Sequence, residues 1–213
     1  MWQARNVCDE PAMKMTPPDC DLLTIGHSNL EADRFVALLK GAGVTAIADV
    51  RSVPFSRWCP WFSGKPLAER LAREGIAYAA FGDALGGRPR DPALYCDGVA
   101  DYEAMAATAV FRAGLDRVVD ATRRHRVCLM CAERAPLDCH RCLLVARAFV
   151  GRGLAVGHIL ADGSIEAHRM TEQRLLALPG GEVDLFRDPA QRLADAYRRR
   201  ARAIATRVKA RLA

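Results

Sequence analysis

Val127-Cys128-Leu129-Met130-Cys131-Ala132-Glu133-Arg134-Ala135-Pro136-Leu137-Asp138-Cys139-His140-Arg141-Cys142 is an apolar run that ends in Cys-Ala-Glu, turns at a proline and continues into Asp-Cys-His-Arg. The run Val127 to Met130 reads as a buried strand, and the stretch from about Cys139 to Gly151 as a helix. The segment is therefore a strand-to-helix connection. Open α/β proteins place ligands at such connections, because the loops that leave the carboxyl ends of the strands line a common crevice. Here a thiol, a carboxylate, an imidazole and a guanidinium are crowded into one of them.

The same alternation extends in both directions. Leu22 to Ile25 reads as a first strand, and Ser28 with Glu31 has capping-box spacing for a helix that carries Phe35, Leu38 and Leu39. Val44 to Val50 is a second strand, Pro66 to Glu74 a helix and Ile76 to Phe81 a third strand. Residues 82–100 read as a large loop, and Tyr102 to Arg124 as one long helix. Leu154 to Leu160 is a fifth strand, and Asp162-Gly163 turns the chain toward a short returning strand at Ile165 to His168. The expected fold is α/β, a mostly parallel central sheet of about five strands with helices on both faces and a basic C-terminal helix appended. Residues 1–20 read as a flexible leader, 21–180 as a single α/β domain and 181–213 as the basic helical extension.

The chain has 213 residues, 51% hydrophobic and 26% charged, which suits a globular domain with a sizeable core. No apolar run reaches the roughly 18 residues of a membrane span, and the first residues lack a secretory pattern, so the expected location is cytoplasmic. In that compartment the eight cysteines serve as core residues, ligands or reactive thiols rather than as a disulfide framework. Of the net charge of +6, residues 190–213 carry eight basic side chains against Asp195 alone. Two readings stand for this tail. It is a solvated packing helix with the stripe Leu193, Tyr197, Ala201, Ile204, Val208 and Leu212, or it is a nucleic-acid patch.

Right-handed crossovers bring the strand exits to one edge, which makes neighbours of His27, Asp49, Arg51, Cys131, Glu133 and His158. Asp138 as N-cap puts Cys139, His140 and Arg141 in the first turn of a helix, where the dipole and nearby cations lower a thiol pKa. Cys139 is thus a candidate nucleophile or soft ligand, with Glu133 or His27 as proton-transfer partner. Arg51, Arg57 and Arg141 are candidates for an anion cradle, joined by Ser28, Cys131 and His140 as binding residues. Asp49 is a candidate to orient Arg51, although their strand placement is read as turning the two side chains to opposite faces. Gly86-Gly87-Arg88 is a weak candidate phosphate loop. His158 reads as a core histidine. The expected partner is a small anionic ligand or nucleotide.

The sequence requires no cofactor, but metal readings arise from the cysteines. Cys128-x2-Cys131 with Cys139-x2-Cys142 has the form of a four-thiolate zinc site. The odd spacing of Cys128 and Cys131 in a strand turns them to opposite faces, which speaks against it. A smaller site would use Cys131 or Cys139 with His27 or His140. Thr24-Ile25-Gly26-His27-Ser28, Asp49-Val50-Arg51-Ser52-Val53-Pro54-Phe55-Ser56, Leu85-Gly86-Gly87, Cys131-Ala132-Glu133 and Cys139-His140-Arg141 together resemble a bacterial and archaeal family, domain of unknown function 488. The resemblance covers about residues 22–178 and implies a compact cytosolic α/β domain without supplying a reaction. In that pattern Cys131 and Cys139 match, whereas Cys128 and Cys142 are additional. A weaker likeness is to rhodanese sulfurtransferases, which also pair Asp-x-Arg at one strand exit with a cysteine at another. The loop after Cys131 lacks their Gly- and Arg-containing cradle.

Overall fold

The structure, a computed structural model, describes residues 19–179 and 188–207. The expected leader lies outside the described residues apart from its last two, as do Val208 and Leu212 of the C-terminal stripe.

The first unit is β1 (Leu22–Gly26), α1 (Ala32–Gly41) and β2 (Ala46–Asp49). Phe35, Val36, Leu38 and Leu39 give α1 one buried stripe. Ser28 does not cap this helix. Its backbone is left-handed (φ 48°), and Glu31 occupies the N-cap position without a side-chain bond. There follow α2 (Gly64–Arg73), β3 (Ala77–Ala80) and the single turn α3 (Gly82–Leu85). The expected loop then contains a small ribbon, β4 (Tyr95–Cys96) against β5 (Val99–Ala100). The expected long helix is two, α4 (Tyr102–Ala106) and α5 (Ala109–Thr122), because Thr108 breaks the run and caps the second by accepting from Phe111 N–H.

β6 (Val127–Cys131) leads to the connection quoted above, then to a wide π-helical stretch (Arg141–Ala146) continuous with α6 (Arg147–Val150). After β7 (Val156–Ile159) the chain turns at Gly163 and returns as β8 (Ile165–Ala167), antiparallel to β7. Last come α7 (His168–Leu176) and α8 (Pro189–Ile204).

The strand order is β3-β2-β6-β1-β7-β8, and the first five strands are parallel. The sheet thus has six strands where about five were expected. Alternate side chains feed two apolar layers. Leu23, Ile25, Ile47, Cys128 and Met130 pack with α1 and α2. Leu22, Ala48, Leu129 and Cys131 pack with α5, the π-helical stretch and α8.

The connection from β1 leaves toward β2, and the connection from β6 leaves toward β7 on the other side of the sheet. These two strands are neighbours, so a crevice opens between the loops that follow them. At that point the loops are in contact: a Cβ on Gly26 would lie 1.8 Å from the Glu133 carbonyl oxygen, and only glycine permits this approach.

The C-terminal helix is pinned rather than free. Ala196 and Tyr197 are buried, and Arg198, Arg200 and Arg202 are paired with Glu103, Asp138 and Asp97. Among the described residues, no helix is long and apolar enough to cross a membrane.

Candidate functional site

Four donor atoms meet where β6 ends and the π-helical stretch begins. The Sγ atoms of Cys131 and Cys139, a Glu133 carboxylate oxygen and His140 Nδ1 all lie within 4.8 Å of one another. Cys131 Sγ is 3.1 Å and Cys139 Sγ 2.9 Å from Glu133 Oε2. His140 Nδ1 is 3.6 Å from Cys131 Sγ and 4.0 Å from Cys139 Sγ. His140 Nε2 lies 2.9 Å from the Val50 carbonyl, which can only accept, so this nitrogen carries a proton and Nδ1 faces the sulfurs. Burial opposes a charged ring, but the contact with Cys139 raises the imidazole pKa above its ordinary value. Gly87 makes room for the ring, since a Cβ there would come within 2.6 Å of it.

The local backbone differs from the expected helix start. Asp138 does not cap, because it pairs with Arg200 of α8. Cys139 is extended (φ −138°, ψ 137°), and its carbonyl accepts from the N–H groups of Cys142 and Leu143. Its sulfur accepts from Arg141 N–H at 3.4 Å. The sulfur therefore does the work of a capping oxygen. Burial opposes ionisation of Cys139. The hydrogen bond from Cys131, with Arg141 and His140, outweighs it and holds this thiol well below its usual range. Cys131 is pushed well above, first by its hydrogen bond to Cys139 and then by burial. The Glu133 carboxyl is raised by partial loss of solvent around it and by the neighbouring Cys139.

Arg141 is fully buried and holds the loop from behind, donating to the carbonyls of Glu133 (2.5 Å) and Arg134 (3.0 Å). Arg51 is bidentate on Asp49, with Nη2 to Oδ2 at 2.6 Å and Nε to Oδ1 at 2.9 Å. The expectation that these two side chains face apart is corrected: residues two apart share a face, and their pairing is direct. Tyr78 donates to the same carboxylate at 2.7 Å. The remaining Arg51 nitrogen, Nη1, is 3.2 Å from His27 Nε2, and His27 Nδ1 is 2.8 Å from the Ser28 carbonyl. His27 stacks on Phe62, with ring centroids 4.3 Å apart, and burial together with Arg51 lowers its pKa to about 4. Its lone pair is thus turned to Arg51 and not to a sulfur.

A cleft of about 380 Å³ opens over this cluster. Cys131, Glu133 and His140 form its floor, Arg51, Ser52, Val53 and Phe55 one side, Gly87, Arg88 and Tyr102 another, and Ile204 and Thr206 close it. Cys139 is 1% exposed and does not line it. The three arginines expected to form a cradle do not converge: Arg51 reaches the cleft already paired, Arg141 lies behind it, and exposed Arg57 sits over Trp58. Ser28 makes its side-chain contact with Asn29. Sequence reasoning missed Ser52, Tyr102 and Thr206 as lining residues, since nothing local marks them.

His158 is not at a strand exit. It is paired with Thr24 in mid-sheet, and both side chains are buried. There a chain of contacts runs Thr24 Oγ1 to His158 Nδ1 (2.8 Å), His158 Nε2 to His168 Nδ1 (2.9 Å), His168 Nε2 to Tyr197 Oη (2.8 Å) and Tyr197 O–H to Glu172 (2.9 Å). Cys142 Sγ lies 3.9 Å from His158 Nε2, so these side chains also have ligand-like proximity. Because Tyr197 gives its proton to Glu172, each link has one donor and one acceptor in a single direction. Cys142 is occupied here and Cys128 on the other side of the sheet, so no four-cysteine site forms.

No curated protein and no solved structure matches the chain. A family model described as domain of unknown function DUF488 matches residues 31–148, more than half of the sequence. This span contains Asp49 to Ser56, Gly86-Gly87 and the whole Cys131-to-Arg141 connection, while His27 lies just before it. With the strand exits and the Cys131–His140 cluster in place, the chain belongs to the DUF488 family.

Proposed function

We propose that the cleft is the active site of a metal-dependent hydrolase, with a zinc-class ion held by Cys131, Cys139 and His140. The observation that carries this reading is the convergence of ligand-type atoms. Two sulfurs, a carboxylate oxygen and an imidazole nitrogen lie within 4.8 Å of one another at the floor of the cleft. A cation satisfies the two sulfurs and the imidazole nitrogen. Two thiolates and an imidazole form a typical zinc donor set, and the Val50 carbonyl on the far nitrogen of His140 is the expected orienting contact. Binding expels the thiol protons and frees Glu133 on the cleft side. The ion would supply a Lewis acid for a water at the cleft floor. Glu133, on the cleft side, would accept that water's proton and pass it to the leaving group as the water oxygen displaces it. Cys139 needs no exposure in this role, because a ligand does not touch substrate.

The test is elemental analysis of protein prepared with added zinc and then dialysed. We expect about one ion per chain, lost in Cys139→Ser and in His140→Ala. Less than about a tenth of an ion per chain in the parent protein overturns the reading.

A second reading, favoured by the Arg141 N–H on its sulfur, makes Cys139 a thiolate nucleophile. Iodoacetamide below pH 8 separates the two. Fast, selective labelling of Cys139 that zinc leaves unchanged supports the nucleophile. Protection of both Cys131 and Cys139 by zinc supports the metal centre.

A further inference from the structure

The geometry points to a single-stranded nucleic acid as the polymer that lies across the cleft, with its bases stacked on the segment after β2. Val53, Phe55 and Trp58 are 59%, 69% and 83% exposed, so three of the five exposed large apolar side chains among the described residues fall within six positions. They do not hang from a loose loop. Ser56 N–H bonds to Ser63 Oγ, Cys59 N–H to Ser56 Oγ and Gly64 N–H to the Pro54 carbonyl, which fixes the segment in one shape. Rings held out to water at no evident structural benefit are contact surface.

Charge selects the occupant. The Arg57 guanidinium lies 5.2 Å from the Trp58 ring centroid, a cation beside an aromatic face. Among the described residues, no acid pairs with Arg57, with Arg88 on the next wall, or with Arg207 beside the lining residue Thr206. Aromatic platforms interleaved with unpaired arginines bind splayed bases and their phosphates. A duplex hides its base faces and does not fit this pattern. Three of the five arginines of α8 are spent on Glu103, Asp138 and Asp97, so the contact is assigned to the segment after β2, where the aromatic rings are. The assignment names the substrate class for the cleft and rests on the cleft being the reacting site, whereas the binding itself needs no ion.

The test is fluorescence anisotropy of a labelled mixed-sequence 12-mer, as DNA and as RNA, beside the matching duplex. We expect the single strand to bind more tightly than the duplex and binding to weaken as salt rises. Trp58→Ala should weaken it about five- to hundred-fold, and Phe55→Ala similarly. Arg57→Ala should flatten the salt dependence, and Val110→Ala, exposed elsewhere, should change nothing. The parent should bind the strand equally with added zinc and with a chelator, so loss of the ion and loss of the polymer are read separately. Absence of binding at low salt, equal affinity for the duplex, or full binding by both aromatic variants overturns the assignment. Binding of an unlabelled basic or acidic peptide with the same dependence on Trp58, and no competition by oligonucleotide, assigns the surface to a protein instead.

Discussion

Gly26→Ala is expected to lower stability by about 3 kcal/mol or more and to empty the proposed metal centre. The added Cβ would stand 1.8 Å from the carbonyl oxygen of Glu133 and 3.0 Å from Arg141 Nη1. The first neighbour is backbone, so no side-chain rotation relieves the clash. Either β1 or the loop after β6 must move, and that loop carries Glu133 while Arg141 ties it to the π-helical stretch. For a chain of this size the loss corresponds to a fall of roughly 6–12 °C in Tm. Thermal unfolding and zinc content measure both effects. An alanine variant that melts with the parent and keeps its ion would show that the two loops do not press on each other as described.

Acid should unfold the protein steeply between about pH 6 and pH 4. His27 and His168 are buried, and burial lowers each to a pKa of about 4. His158, fully buried, is lower still. In the unfolded chain a histidine titrates near 6.5, so below that pH the unfolded state takes up protons that the folded state refuses. The contribution of these neutral rings is complete above about pH 6.5 and is lost as the pH falls toward their folded values. For a pair of values near 4 and 6.5, the loss by pH 4.5 is about 2.5 kcal/mol per ring. His27 and His168 alone therefore remove about 5 kcal/mol, a large share of the total of a typical domain. Urea midpoints at pH 7, 5.5 and 4.5 measure this directly, and His168→Gln should flatten the profile by one ring's share. A midpoint unchanged down to pH 4.5 contradicts the buried, neutral state of these histidines.

Both predictions depend on features that were unevenly legible in the chain. The strands were readable because parallel strands buried on both faces are continuous apolar runs, as in Val127 to Met130. The strand exits followed from that alternation, which is why Cys131 and Glu133 could be set at one edge without coordinates, while His140 was read from the start of the helix that follows. The cap was not readable. Asp138 is the better capping residue by type, but Arg200, 62 positions later, claims it, and the sulfur of Cys139 takes its place. The fate of the arginines was readable only in part. Asp49 could be named as a partner of Arg51, but as sequence Arg51, Arg57 and Arg141 look equivalent cradle residues, and nothing local shows that Arg57 lies over Trp58 or that Arg141 turns back to two carbonyls. His158 was placed at an exit because the end of an apolar run does not reveal how deep a residue lies in its strand. The neighbours that complete its chain, His168 and Tyr197, come from separate helices.

That chain also connects the rim of the molecule to its centre. Glu172 at the rim fixes which way the Tyr197 hydroxyl points, and that orientation dictates the tautomer of His168, then of His158, and finally the rotor of Thr24. Neutralising the carboxylate would let the phenol turn and every ring along the line exchange its N–H for a lone pair. An event at the surface would then be written into the middle of the sheet by the shift of hydrogens alone, with each heavy atom left where it stands.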